Sequence, residues 1–245
     1  MRNRPNFKHT PTRHKRFLFL HTLVLLLFLL PILGCLNAAA ETADPDPLRW
    51  QKEIKRFAWQ DAKNSYPQQA ILFVGSSSIY GWKTAQAFPF LPVINRGFGG
   101  SHISDLNYYF EILTKQYQPA KIICYCGEND VAAMKDNDQI LADFRAFSSR
   151  VKKELPDTIL LFLAIKPNPL RWQMWNRMAE TNRSIKDYCK SSGLCIFLDT
   201  ATPLLNVEGV PDKNLFAGDG LHLNSAGYAI WNHILAPHLT IDSKQ

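Results

Sequence analysis

Cysteine is scarce, with five in 245 residues, and none forms a Cys-x-x-Cys or a Cys/His cluster of zinc spacing. The sequence therefore marks no metal centre, and no cofactor is expected. Acidic residues are missing from the first forty positions, although 21 occur in the chain. No internal repeat is evident, which argues against a solenoid or propeller. Long apolar insertions between predicted elements are also missing, so nothing reads as a lid or an acyl tunnel.

The acid-free stretch carries six basic residues: Arg2, Arg4, Lys8, Arg13, Lys15 and Arg16. Removing those six from the 28 in the chain leaves 22 basic side chains against 21 acidic ones. The formal charge of +7 is thus a property of the N-terminus, and a nucleic-acid surface is not expected. The basic start runs into "FLFLHTLVLLLFLLPILGCLNAAA". A positive segment, an apolar segment and small residues ending at Ala38, Ala39 and Ala40 read as an export signal over residues 1–40. The span Phe17 to Leu33 approaches membrane-crossing length, so an uncleaved anchor is the other reading. "ILGC" is similar to a bacterial lipobox, with Cys35 as the residue that would carry lipid. Each reading puts the remainder in the periplasm or cell envelope, and the anchor and lipobox readings attach it to the membrane through the N-terminus. A polar linker follows over residues 41–47, and a single domain is expected over 48–245.

Within that domain short apolar runs alternate with helical patterns. Strands are expected at Ala70–Val74, Pro92–Asn95, Lys121–Cys126, Thr158–Ile165 and Cys195–Asp199, several of them continuously apolar, as strands buried on both faces should be. Helices are expected near Trp50–Asn64, Ser104–Tyr117, Gln139–Leu155, Trp172–Lys190 and Ala226–Leu235. Such alternation means a parallel α/β sheet covered on both sides. Five strands suggest a flavodoxin-like three-layer sandwich of order 2-1-3-4-5. Cys124 and Cys126 point to one face of their strand and read as small core side chains. Cys189 and Cys195 flank "KSSGL" and could close a short loop.

Ligands of such sheets bind beyond the carboxyl ends of the strands. Four segments fall there: "GSSS" from Gly75, "NRGFGGSHISD" from Asn95, "GEND" from Gly127, and "GDGLHLN" from Gly218. Singly each can be explained by turns and helix caps, and Asn224 should cap the last helix regardless. Together they supply a serine, a histidine three residues after an aspartate, glycine N–H groups and a side-chain amide. Acyl transfer needs that set: a hydroxyl activated by an oriented imidazole, and fixed donors for the oxyanion. The strained elbow Gly-x-Ser-x-Gly is excluded, because position 79 is Ile. Of the other histidines beyond the N-terminal segment, His233 and His238 lie away from that edge, and His102 is the rival base.

The four segments resemble the motif blocks of the SGNH (GDSL-type) hydrolases, over about Ile71 to Pro237. Within that family the chain looks most like the group of the platelet-activating-factor acetylhydrolase catalytic subunits. The resemblance implies Ser77 as nucleophile, Gly100 and Asn129 as oxyanion donors beside the Ser77 N–H, and Asp219 and His222 as the remaining catalytic pair. In one place the chain departs from the pattern: Ser76 stands where the first block usually has Asp.

The expected activity is hydrolysis of short-chain, acetyl-like esters of a polar or carbohydrate alcohol through an acyl-enzyme. An envelope O-acyltransferase, a lysophospholipase or thioesterase, and a catalytically silent envelope-binding module are the alternatives. The loop "KPNPLRWQMW" joins cationic groups to flat apolar faces. Its Lys166, Arg171 and Trp172, with Trp175, are expected to hold a sugar-like leaving group. The alternative is that the tryptophans pack the following helix onto the sheet.

Overall fold

The computed structural model describes residues 44–240. The signal or anchor segment 1–40, the lipobox cysteine Cys35 and linker residues 41–43 lie outside the described residues. Five parallel strands form one sheet: β1 (Ile71–Gly75), β2 (Val93–Gly97), β3 (Lys121–Tyr125), β4 (Ile159–Leu163) and β5 (Ile196–Leu198), in the order β2-β1-β3-β4-β5. The helices are α1 (Gln51–Asp61), α2 (Ser77–Tyr80), α3 (Thr84–Ala87), α4 (Ile103–Tyr108), α5 (Phe110–Leu113), α6 (Glu128–Ala132), α7 (Asn137–Glu154), α8 (Trp175–Ser192) and α9 (Ser225–Leu235).

Side chains alternate across a strand, so each strand feeds two cores. Leu72, Val74, Ile94, Ile122, Cys124, Leu160 and Phe162 pack with apolar residues of α1, α4, α5, α7 and α8. Ile71, Phe73, Ile123, Tyr125, Leu161 and Leu163 pack on the opposite face with Ile79, Trp82, Trp231 and Leu235. That two-sided burial explains why the strands read as unbroken apolar runs. In α7 the buried residues Ile140, Leu141, Phe144, Phe147 and Val151 recur at three- and four-residue intervals, giving one core-facing stripe. Asn224 caps α9 as its sequence suggests, its Oδ1 accepting from Ala226 N at 2.9 Å and Gly227 N at 3.1 Å. Cys189 and Cys195 are joined in a disulfide that ties the end of α8 to the start of β5, while Cys124 and Cys126 are buried thiols.

The single helix expected at Ser104–Tyr117 is divided into α4, α5 and a 3-10 turn over Lys115–Tyr117. The break falls at Tyr109, whose ψ of 19° leaves the helical range and whose hydroxyl donates to Pro47 O at 2.8 Å. This contact anchors the chain ahead of α1. The same anchoring continues along that segment: Arg49 Nη2 and Trp50 Nε1 both donate to Asp105 Oδ2, at 2.6 and 3.1 Å, and Asp44 meets the buried Lys135.

Candidate active site

Register places the functional segments side by side. Gly75, Gly97 and Tyr125 are paired across β2, β1 and β3, so the residues just after them emerge at one sheet edge. Gly75 is required there: its φ is +139°, and a Cβ would fall 1.9 Å from Tyr125 O. The chain then enters α2, with Ser77 at its first position. A first-turn N–H has no acceptor within its own helix, so the Ser77 amide is available to a ligand. Ser76, in the place of the family's Asp, is buried at the helix N-cap, and its carbonyl accepts from Ile79 N and Tyr80 N at 3.0 Å each.

The loop before α9 brings the imidazole to Ser77 from 145 residues away: His222 Nε2 lies 2.9 Å from Ser77 Oγ. On its other side His222 Nδ1 lies 2.6 Å from Asp219 Oδ2. Asp219 Oδ1 also accepts from Leu221 N at 2.9 Å and His222 N at 3.0 Å. Those bonds, the one to the imidazole first, hold the Asp219 carboxyl well below the usual carboxylate range, even though its side chain is 49% exposed. An ionised carboxylate on Nδ1 leaves Nε2 as the acceptor that faces the hydroxyl.

His102, the rival base, is placed otherwise. Its ring is buried beside the carboxylate of Asp130, with Nδ1 3.7 Å from Oδ1. Burial, then the positive charges of Arg49 and Lys135, pushes its pKa down to about 4. Asp130 itself is completely buried, and burial raises its pKa to about 7 against the pull of Lys135.

The two oxyanion candidates lie in the segments that follow β2 and β3. Gly99 is so near that a Cβ built on it would lie 3.9 Å from Ser77 Cβ. Gly100 follows with φ +78°, its missing side chain facing the Trp50 ring at 3.0 Å. Asn129, in the first turn of α6, is pinned at both ends of its carboxamide: Nδ2 donates to Ser101 O at 3.1 Å and Oδ1 accepts from Arg171 Nη1 at 3.2 Å. A flipped amide would set donor against donor and acceptor against acceptor, so this orientation is fixed and one N–H of Nδ2 remains to donate.

The loop after β4 corrects one expectation. Lys166 does not reach a ligand: it is 1% exposed, and its Nζ lies 2.5 Å from Glu128 Oε2. Burying an ammonium is costly unless it is paired, and Glu128 supplies that pair from within the "GEND" turn. Tyr125 Oη donates to the same Glu128 Oε2 at 2.6 Å, and Asn168 Nδ2 to Oε1 at 3.1 Å. Arg171 bridges Glu128 Oε1 and Asn129 Oδ1 at 3.2 Å each, so it acts on Asn129. Trp172 is half-buried, stacked at 6.0 Å on Trp175 at the start of α8. Glu128 and Asn168 were missed by sequence reasoning. The one signal was a carboxylate in an apolar strand-to-helix junction, which must find a partner.

A family model, the GDSL-like Lipase/Acylhydrolase family, matches residues 73–230. The chain belongs to that family. It is a hydrolase of the GDSL/SGNH type. Among solved structures, a GDSL-like lipase from Bacteroides thetaiotaomicron superposes with a TM-score of 0.67 at 20% identity, covering 76% of this chain and 96% of that one. A Streptococcus pneumoniae protein assigned as a platelet activating factor gives a TM-score of 0.71 at 20% identity over 91% of this chain and 99% of that one. An acetylxylan esterase from Geobacillus stearothermophilus gives 0.58 at 18% identity over 72% and 96%. No curated protein sequence matches. At these identities the structural likeness speaks for the fold, and the GDSL-like assignment rests on the family model.

Proposed function

We propose that the chain is an exported serine esterase that removes short, acetyl-like acyl groups from a polar or carbohydrate alcohol. The observation that carries the reading is the unbroken relay from Asp219 Oδ2 through the His222 ring to Ser77 Oγ, at 2.6 and 2.9 Å. His222 Nε2 takes the Ser77 proton as Oγ attacks the ester carbonyl carbon. Asp219 holds the imidazole tautomer and stabilises the imidazolium. The oxyanion is met by the N–H groups of Ser77 and Gly100 and by Asn129 Nδ2. Collapse breaks the bond to the alcohol, which leaves with the proton from His222. Water, deprotonated by His222, then attacks the acyl-enzyme, releasing the acid and restoring Ser77.

Export is supported by the basic-apolar N-terminus and by the Cys189–Cys195 disulfide, which suits an oxidising compartment. The short-acyl reading is supported by the likeness to an acetylxylan esterase. A serine-reactive fluorophosphonate should label the protein at Ser77, with the adduct mapped by peptide mass spectrometry. In a p-nitrophenyl ester series, kcat/KM should be highest at acetate. A maximum at about eight carbons or beyond would replace the short-acyl reading with a lipase or thioesterase, because each further methylene gains only where a pocket receives it.

A further inference from the structure

A groove of about 570 Å³ lies beside the oxyanion loop, lined by Trp50, Lys52, Glu53, Arg56, Tyr80, Phe98 and Gly99. Its lining includes Gly99, on which a Cβ would lie 3.9 Å from Ser77 Cβ, so the groove adjoins the nucleophile's turn beside α1. Its walls combine aromatic rings with charged side chains. Tyr80 is 58% exposed, and Trp50 is partly exposed with its ring set edge-on against Phe98 at 5.7 Å. Rings held open to solvent offer flat apolar faces with a polar tip or rim. Lys52 and Arg56 are four residues apart on one face of α1, and both are exposed. Neither has a carboxylate within 4 Å among the described residues, whereas Arg49, one turn earlier, is paired with Asp105. The Arg56 guanidinium instead lies over the Tyr80 ring, 5.6 Å from its centre.

We propose that this groove is the leaving-group subsite, and that it takes a sugar ring carrying an anionic substituent, the alcohol half of an acetylated acidic glycan. The inference rests on the esterase reading above. A pyranose has one face of C–H groups, which stacks on aromatic rings, and a rim of hydroxyls that bond to Glu53 and the cations. Two unpaired cations against one carboxylate favour an anion, and Arg56, already held over Tyr80, would meet a carboxylate in fork geometry. The leaving-group wall thus lies on α1, not on the loop after β4 where the sequence suggested it.

The test compares p-nitrophenyl acetate, which has no sugar, with acetylated xylo-oligosaccharides and acetylated galacturono-oligosaccharides. Tyr80→Ala should lower the ratio of kcat/KM for either oligosaccharide to that for p-nitrophenyl acetate by about tenfold. Arg56→Gln should erase a preference for the acidic chain over the neutral one. With Ser77→Ala protein, the deacetylated acidic oligosaccharide should bind and shift the intrinsic tryptophan fluorescence, an effect that Tyr80→Ala weakens. Ratios within twofold of the parent for both variants would overturn the subsite. Equal use of the neutral and acidic chains by the parent would overturn its anionic preference. Failure of the parent to hydrolyse any of the esters, or hydrolysis that survives Ser77→Ala, would strike the esterase reading instead.

Discussion

Arg171 Nη1 lies 3.2 Å from Asn129 Oδ1, and the same nitrogen lies 3.2 Å from Glu128 Oε1. A cation on the carbonyl end of a carboxamide fixes its orientation and draws electron density from its N–H bonds. Glu128, itself matched by Lys166, holds that cation in place.

Arg171→Met should therefore lower kcat by about tenfold, ~1.4 kcal/mol, with little change in KM. Asn129→Ala should cost about 2.7–4 kcal/mol, the scale of one oxyanion donor. In the double variant the Arg171 effect should vanish, because the group through which it acts is gone. Additive losses in steady-state kinetics would mean that Arg171 acts elsewhere.

Lys166→Met should destabilise the fold by about 3–5 kcal/mol, since Glu128 loses its nearest cation in a dry setting. Urea titration measures this. A substrate-binding lysine would behave differently, raising KM and leaving stability unchanged.

Ser77→Ala should abolish turnover of p-nitrophenyl acetate while circular dichroism stays native. Asp219→Asn should retain the fold and lose roughly a hundredfold or more in kcat, through loss of the ionised partner on Nδ1.

His102 predicts a pH effect on stability. Its pKa is about 4 in the folded protein against an ordinary 6.5, so the unfolded chain binds the extra proton between those values. Stability from this group is complete above pH 6.5 and is lost as pH falls toward 4. Asp130, raised to about 7, acts in the opposite sense, because its folded form takes up a proton first. The comparison of parent with His102→Gln removes that shared contribution: the variant should lose less stability on acidification across the window. The acid limb of kcat/KM should survive the same substitution.

Gly100→Ala should impair both activity and stability. Its φ of +78° disfavours any side chain, and the new methyl would press on Trp50 at 3.0 Å. About 1–3 kcal/mol of stability is at stake, measurable by thermal melting.

The sheet order, and the four segments that meet at its edge, were legible because buried parallel strands leave an unbroken apolar signature and each ends in turn chemistry. Ser77, Asp219, His222 and Asn129 were put forward by the resemblance to the SGNH motif blocks, and the structure brings the first three within hydrogen-bond distance of one another. What escaped was pairing at long range. Lys166 looks like a loop cation until Glu128, 38 residues earlier, is seen against it. Helices α2, α3 and α6, of four or five residues, are too short to show a period. The helical pattern breaks at Tyr109, whose hydroxyl is tied to Pro47, 62 residues away, a partner that no local pattern reveals.

The family match begins at residue 73, yet the polypeptide that packs against the Gly100 turn begins earlier. Pro47, Arg49 and Trp50 grip Tyr109, Asp105 and the Gly100 turn. Trimming the gene to the matched region would preserve every signature residue, yet the product would lack the brace on that turn, so its inactivity would say nothing against the signature.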